Sequence, residues 1–196
     1  MIKKIGDVIE YYRKDLLYTG IFHKRFNFFY RLIDPRYKFY FLLRINEYFF
    51  NNYFLNNLFF GFLRKFLYCI YLRYSNKLLM QIPLNVFGKG LAIVHIGNII
   101  VTPKAKIGMN CRIHAGVNIG NAPSHGKDGS PIIGNNVYIG PGVKIFGDIE
   151  IYDGIAIGAN AVVNKSFLEK NITIAGVPAS KISNNGSKDY IFKENI

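Results

Sequence analysis

The sequence predicts a mainly β chain, in which a parallel β-helix of six-residue units follows an α-helical region. Two observations predict this fold class. Aliphatic residues recur at every sixth position over roughly residues 100–165, a period that neither a helix nor an ordinary strand has. By contrast, 24 of the 31 Phe and Tyr residues lie within residues 1–80, where apolar residues recur at helical spacing. We therefore predict a basic, aromatic helical region over 1–80, a β-helix over 81–183 and a tail over 184–196.

Charge and composition exclude several classes of protein. The 196 residues include 25 Lys and Arg against 12 Asp and Glu, and residues 1–80 hold 14 of the cations and 5 of the acids. A chain this rich in aromatic and aliphatic residues is not intrinsically disordered. Its two cysteines can form at most one disulfide, which excludes a disulfide scaffold. No nucleic-acid-binding motif accompanies the positive charge, so we predict no nucleic-acid partner.

The first 80 residues are predicted to form three helices. The first is an amphipathic helix, and the second and third cover about 37–52 and 54–80, after Asp34 and Pro35 interrupt the pattern. The longest run without charge, 48–63, holds four asparagines and is too short to span a membrane. The apolar face of the first helix is predicted to consist of Ile2, Ile5, Ile9, Tyr12 and Leu16.

Two partners suit this helical region, and the sequence leaves both open. It can pack as a bundle on the rest of the protein or on a neighbouring subunit. It can also lie on an anionic membrane surface, where aromatic rings and cations both bind favourably. The start of the chain shows no apolar stretch or cleavage site typical of a secretory signal. We therefore predict a cytoplasmic protein, and the membrane alternative would place it on the inner membrane surface.

The six-residue period forms two aliphatic rows in the second region. In a β-helix each six-residue unit is one flat side of a coil, and such a row fills the interior. A polar segment rich in turn-forming residues, 121–130, interrupts the rows, and Cys111 lies on the interior lattice. The first row is Ile133, Ile139, Ile145, Ile151, Ile157 and Val163, and the second is Val137, Val143, Ile149, Ile155 and Ala161.

The array, its interrupting segment and the Ala-Gly-Val-Pro-Ala sequence at 175–179 resemble the left-handed β-helix acyltransferases. Residues 88–101 resemble the catalytic segment of the serine acetyltransferase branch. A basic, aromatic helical region before the array is similar to acetyltransferases of bacterial capsule and exopolysaccharide assembly. The resemblance implies left-handed coiling, a homotrimer and acetyl-CoA as the acetyl donor, with no metal.

By this resemblance His95 matches the general base of the family. An attacking hydroxyl must lose its proton as it meets the thioester carbonyl, and imidazole titrates near neutral pH. The family often orients this histidine with an upstream carboxylate, but no Asp or Glu lies between Glu47 and Asp128. A backbone carbonyl, Asn85, Asn98 or a residue of another subunit must therefore orient the ring.

The predicted acceptor is a hydroxyl of a surface polysaccharide or its precursor. Serine acetyltransferases have Asp before the catalytic His and Asp-Arg-His-Pro in the loop, whereas this chain has Val94 and an Asp-Gly-Ser-Pro sequence at 128–131. The groups that pair with a serine zwitterion are thus missing. A serine acetyltransferase of cysteine biosynthesis and a non-catalytic β-helix scaffold are the alternatives. The predicted acceptor-binding residues are Asn98, His114, His125, Asp128 and Ser130.

The resemblance also implies a donor site in the groove between two coils. Small residues let the pantetheine arm approach the backbone, and lysines at the coil ends can meet phosphates. Gly140 and Ala159 are also explained if the corners of the coils simply require small residues. No His and Cys pair has the spacing of metal ligands. The predicted acetyl-CoA-binding residues are Asn121, Gly140, Pro141, Lys144, Ala159 and Lys165.

Overall fold

A computed structural model describes residues 1–20, 33–52, 58–124 and 127–191. Three helices come first, and short strands follow. The helices are α1, Ile5–Tyr18, α2, Pro35–Asn51, and α3, Leu58–Lys77. Within the described ranges, no helix is long and apolar enough to cross a membrane.

The helices begin where the sequence supplies capping groups. The Asp7 carboxylate accepts hydrogen bonds from the backbone N–H groups of Lys3 and Lys4, at 2.9 Å or less. These two bonds lower the pKa of Asp7, because they stabilise its charged form. At the start of α2 the Asp34 side chain accepts a hydrogen bond from the backbone N–H of Arg36. Pro35 occupies the first turn, where a backbone N–H has no acceptor within the helix, so the missing N–H of proline costs no hydrogen bond.

The predicted buried face of α1 is partly wrong. Ile2 and Leu16 are buried as expected, but Ile5 and Ile9 are each more than half exposed. The helix is rotated so that Val8 and Asp15 face the protein instead. The reason is that the Asp15 carboxylate accepts hydrogen bonds from buried donors of α2 and of the first coil, so this side of the helix faces the protein.

The strands form a parallel β-helix with three faces. Strands of successive coils pair in parallel on each face, which gives three stacked sheets. The first face holds β1, Met80–Gln81, β3, Ile99–Val101, β6, Asn118–Gly120, β11, Lys144–Phe146, and β14, Val162–Val163. The second holds β4, Lys106–Ile107, β9, Ile132–Ile133, and β12, Glu150–Ile151. The third holds β2, Ala92–Ile93, β5, Arg112–Ile113, β10, Tyr138–Ile139, β13, Ala156–Ile157, and β15, Thr173–Gly176.

The two predicted aliphatic rows fill the interior of the coils. Identical positions stack in register, for example Ile113 against Ile139 and Ile139 against Ile157. Every residue of both rows is at most 6% exposed, which confirms the predicted interior. Cys111 is fully buried there, and burial raises the pKa of its thiol to about 12. The apolar core continues from the coils into the helices without a break.

Two hairpins depart from the repeat. The interrupting segment leaves the third coil and forms β7, Ala122–Ser124, and β8, Lys127–Gly129, an antiparallel pair. After the last coil, β15 pairs in antiparallel with β16, Ala179–Ser183, around the turn at 177–178. A short 3-10 helix, Ser187–Asp189, follows and lies against the third face.

A buried ion network joins the helices to the first coil. The Arg44 guanidinium donates to Asp15 at 2.7 Å and to Glu47 at 2.9 Å, and all three side chains are nearly inaccessible to solvent. Arg44 also donates to the carbonyl oxygens of Phe87 and Gly88, while Asp15 accepts from two backbone N–H groups of the coil. Burial opposes the charge of Arg44, but the two carboxylates raise its pKa. The helices are therefore fixed to the coil by paired, hydrogen-bonded charges.

Candidate active site

His95 lies on a corner that is longer than its counterparts in other coils. Ile93 is paired with Ile113, and Val101 is paired with Ile119. Eight positions separate Ile93 from Val101, whereas six separate their partners. The two extra residues push this corner outward, and it holds both His95 and Asn98, which are exposed. We call the column of corners that follows the third face the His95 edge (residues 94–98, 114–117, 140–143 and 158–161).

Helix α2 fixes the backbone directly before His95. Nη1 of Arg36 donates to the Val94 carbonyl oxygen at 2.7 Å and to that of Ile93 at 3.2 Å. The other nitrogens of Arg36 pair with Asp34, which limits the rotation of the guanidinium. The Tyr40 hydroxyl accepts from the N–H of Ile93 at 2.8 Å. Arg36 and Tyr40 were not among the predicted site residues, because a bond to a distant backbone group leaves no pattern in the residue types.

The His95 ring is exposed and open to a substrate. Among the described residues its ring nitrogens have no hydrogen-bond partner, and its recorded neighbour is the His114 ring, 5.9 Å away between centroids. Asn85, one of the groups expected to orient His95, is engaged elsewhere. Its side chain exchanges hydrogen bonds with Asn51, and its backbone N–H donates to Glu47. That interpretation of Asn85 is wrong.

His114 lies beside His95 on the next coil and is neutral at neutral pH. Its ring packs against the Tyr138 ring, 5.1 Å away between centroids, and the residue is 8% exposed. Its Nδ1 lies 3.2 Å from the Ile139 carbonyl oxygen. A carbonyl only accepts, so Nδ1 carries the hydrogen and Nε2 keeps its lone pair. Burial, together with the nearby Arg112 and His95, lowers the pKa of His114 to about 4.

The low pKa of His114 predicts an acid-sensitive fold. Between pH 6.5 and about 4 the unfolded chain binds a proton at this histidine and the folded chain does not, so stability falls as pH falls. We expect the free energy of unfolding to drop by up to about 3 kcal/mol across this window through His114. Urea unfolding of the wild type and of His114→Gln at pH 7 and pH 5 measures it. An unchanged acid response in His114→Gln would contradict the prediction.

Arg112 lies near His114 and was not among the predicted site residues. It precedes His114 by two residues on β5, and its positive charge helps to lower the pKa of His114. Nη1 donates to the Tyr190 carbonyl oxygen at 2.8 Å, and the Tyr190 ring stacks on Tyr138 at 4.5 Å between centroids. Nε of Arg112 is buried and has no hydrogen-bond partner among the described residues. The guanidinium of Arg112 therefore has one buried N–H group without an acceptor in the described part of the chain.

The structure divides the predicted site residues between two edges of the β-helix. The corners after the first face, which carry the hairpin, form the hairpin edge (residues 102–105, 121–131, 147–149 and 164–166). His125 lies outside the described residues. On or directly after the His95 edge lie Asn98, His114, Gly140, Pro141, Lys144 and Ala159. On the hairpin edge lie Asn121, Asp128, Ser130 and Lys165.

Residues on different edges cannot join one site within a single β-helix, because a face separates them. On the hairpin edge, the Ser130 hydroxyl is buried without a hydrogen-bond partner in the described part of the chain. Lys165 is exposed, with its ammonium 5.6 Å from the centre of the Phe167 ring. The predicted site residues of one chain therefore lie in two separate places.

The proposed donor residues on the His95 edge fit a ligand unequally. A β-carbon at Gly140 would lie 2.8 Å from the Ile157 carbonyl oxygen, so coil stacking alone requires glycine there. Pro141 and Ala159 are exposed on successive corners of the His95 edge, which leaves their surface free for a pantetheine arm. The Lys144 ammonium is exposed but donates to the Gly116 carbonyl oxygen at 2.6 Å. No group of three metal-binding side chains occurs among the residues that the structure describes.

Comparison with known proteins identifies relatives of part of the chain. No family model matches the chain. It is 35% identical over 115 residues to a serine acetyltransferase of Buchnera aphidicola, covering 57% of this chain and 44% of that protein. It is 31% identical over 99 residues to a serine acetyltransferase of Synechococcus elongatus, covering 50% of this chain and 40% of that protein. The chain thus spans less than half the length of these curated relatives.

Solved structures match nearly the whole chain. The serine acetyltransferase of Neisseria gonorrhoeae superposes with a TM-score of 0.71 at 26% identity, over 98% of this chain and 73% of that one. The Brucella abortus enzyme in complex with coenzyme A gives 0.68 at 26% identity, over 93% and 70%. These likenesses confirm the predicted left-handed β-helix preceded by helices. They support the resemblance to hexapeptide-repeat acyltransferases, but not its narrower capsule and exopolysaccharide branch.

Proposed function

We propose that this chain is an acetyl-CoA-dependent O-acetyltransferase in which His95 is the general base. The observation that carries the proposal is the outward-pushed corner, which presents an exposed imidazole beside the neutral His114. The relatives support it, since they are serine acetyltransferases and one of them is a complex with coenzyme A. The non-catalytic scaffold gains no support from them.

The geometry suits direct transfer between two bound substrates. A bound acetyl-CoA supplies the thioester whose carbonyl carbon is attacked. His95 takes the proton of the acceptor hydroxyl as the new C–O bond forms, and the C–S bond then breaks to release a thiolate that receives a proton. His114 remains neutral beside it, so the imidazolium formed at His95 meets no second positive charge from that ring. Arg36 holds the backbone of this corner in place.

L-Serine is the acceptor that the comparisons favour, contrary to the sequence-based preference for a polysaccharide. A serine zwitterion carries a carboxylate, and it needs a cation near the base. Arg112 on β5 lies close enough to His114 to lower the pKa of that residue, and we assign the role to Arg112 because the motif position that usually provides the cation holds Gly129. We therefore propose L-serine as the first acceptor and Arg112 as the group that meets its carboxylate.

A sugar hydroxyl is the second candidate acceptor. The observation in its favour is the apolar Val94 directly before His95, where serine acetyltransferases have an aspartate that can pair with an ammonium group. A neutral sugar needs neither that carboxylate nor a cation. Polysaccharide hydroxyls thus remain compatible with the same base and donor.

Acceptor choice is tested by assaying thiol release from acetyl-CoA with L-serine and with a panel of neutral oligosaccharides. If serine is the acceptor, Arg112→Ala should raise its KM about tenfold or more, because an ion pair or charged hydrogen bond contributes about 1.5–3 kcal/mol. Replacing Arg112 by Gln tests whether charge or packing matters. The kcat for the same acceptor should change much less.

The control measurement is the KM for acetyl-CoA in each variant, which should stay constant. Turnover of an oligosaccharide but not of serine would replace the first acceptor by the second. Absence of both turnover and acetyl-CoA binding would favour the scaffold instead.

We also propose a homotrimer. The support is the division of the site residues between two edges, because a neighbouring copy can place its hairpin edge against the His95 edge. Ser130 and Lys165 of one chain would then complete a site begun by His95 of another. The cytoplasmic location stays a prediction.

A further inference from the structure

Helix α3 carries an apolar stripe that the protein leaves exposed. Phe59, Phe62 and Phe66 are 69%, 72% and 54% exposed, and Leu72 follows at 40%. The three phenylalanines are spaced by three and four residues, which keeps them on one side of the helix, whereas Leu72, six residues after Phe66, lies on another side. We call Phe59, Phe62 and Phe66 the aromatic stripe. A helix with this much exposed apolar surface is normally covered by something.

The opposite side of α3 is already used by the protein. The Tyr71 hydroxyl donates to the Ile82 carbonyl oxygen, and the Ser75 hydroxyl donates to that of Met80. Both residues are almost completely buried. The helix is thus fixed on the β-helix along one side, and the aromatic stripe faces away from it.

Cations flank the stripe, and acids are missing. The helix contains Arg64, Lys65, Arg73 and Lys77 but no Asp or Glu. None of these four has an ion-pair partner among the described residues, and three of them are exposed. A groove of about 470 Å³ beside the helix is lined by Arg64 and Lys65 together with Phe50 and Tyr68. This surface combines exposed rings with uncompensated positive charge.

We propose that α3 lies flat on an anionic lipid bilayer, with the aromatic stripe in the headgroup boundary. Aromatic side chains are favourable at that depth, and each cation near anionic lipid adds to the affinity. The three exposed cations, Lys65, Arg73 and Lys77, complement a negatively charged surface, and no acid on the helix opposes it. Because the other side of α3 is packed on the β-helix, the helix binds in the plane of the membrane.

A second copy of the chain is a less suitable occupant. In a two-fold contact the same patch meets itself, so the cations of one α3 would approach those of the other. The helix offers no carboxylate to compensate them. Pairing would therefore bury or crowd like charges, whereas a bilayer neutralises them.

The test is co-flotation of the full-length protein with vesicles of phosphatidylcholine alone or with phosphatidylglycerol added. We expect binding to the mixed vesicles only, and weaker binding at high salt. The triple variant Phe59→Ser, Phe62→Ser, Phe66→Ser and the double variant Lys65→Glu, Arg73→Glu should each bind about tenfold more weakly or worse. All these positions are exposed or outward-facing, so the variants should fold, which acetyl-CoA binding or circular dichroism verifies.

Matched controls come from the β-helix. Phe146→Ser with Tyr152→Ser removes rings that are each 37% exposed, and Lys106→Glu with Lys188→Glu reverses two exposed cations. Both should bind vesicles like the wild type. Equal binding to neutral and anionic vesicles, or none to either, would overturn the proposal. A larger assembly in solution that the triple variant dissociates, without vesicle binding, would assign the stripe to a second copy.

Discussion

Replacing His95 by alanine should lower kcat by at least about a hundredfold, because a general base contributes about 10²–10⁴ to the rate. The ring is exposed and makes no hydrogen bond with the described residues, so its removal should leave folding unchanged. The measurement is thiol release from acetyl-CoA with the preferred acceptor over a range of pH. Calorimetric titration with acetyl-CoA should give the wild-type affinity, because the loss concerns proton transfer rather than donor binding.

Tyr152→Ala is a matched control for this experiment. Tyr152 is also exposed on a corner of the coil, but on the corner between β12 and β13, which belongs neither to the His95 edge nor to the hairpin edge. Its variant should keep wild-type turnover. If His95→Ala also kept near-wild-type turnover, His95 would not be the base, and the proposed mechanism would fail while the fold stood.

Arg44→Ala should cause the largest loss of stability, about 3–5 kcal/mol. The substitution leaves the carboxylates of Asp15 and Glu47 buried without their counter-ion, and it also removes two donors to coil carbonyl oxygens. Leaving charge buried and unpaired costs far more than the pair itself contributes. Urea unfolding followed by circular dichroism, at one fixed protein concentration, measures the change.

Lys89→Ala provides the comparison, because the Lys89–Glu10 pair also connects the helices with the first coil. That pair is formed at 2.5 Å by side chains that are 33% and 49% exposed. Solvent screening limits its contribution to about 1 kcal/mol or less. Equal losses in the two variants would mean that the buried network does not hold the helices to the coil.

Much of the fold was predictable because the β-helix repeats its interior contacts. A residue such as Ile139 meets Ile113 and Ile157, which are the same kind of residue at the same place in neighbouring coils. One exception is the corner at His95. Ile99, Ile100 and Val101 are three consecutive aliphatic residues. A strict six-residue period from Ile93 leads to Ile99, which is also aliphatic, so the sequence does not reveal that the structure uses Val101, two positions later, as the paired residue.

The candidate site was predictable only where it follows a motif. His95 was selected because residues 88–101 resemble a known catalytic segment, and the structure shows that the neutral His114 lies beside it. Arg36, Tyr40 and Arg112 act through bonds to backbone groups or through charge at positions distant in sequence. Such contacts depend on how α2 and the C-terminal segment pack, which no local pattern encodes. For the same reason, the inward rotation of α1 toward Asp15 was not foreseen.

The bonds between the helices and the first coil also determine where the stack of coils stops. A coil pairs with the coil before it and the coil after it, and the first coil has no predecessor to meet its outward N–H and C=O groups. Tyr40 and Arg36 form hydrogen bonds with the N–H and C=O groups of Ile93, and Arg44 forms one with the carbonyl oxygen of Phe87. A foreign strand therefore finds no free edge at these positions. The helical region thus blocks end-to-end fibre growth at this end of the solenoid, and antiparallel β16 occupies the edge of β15 at the other.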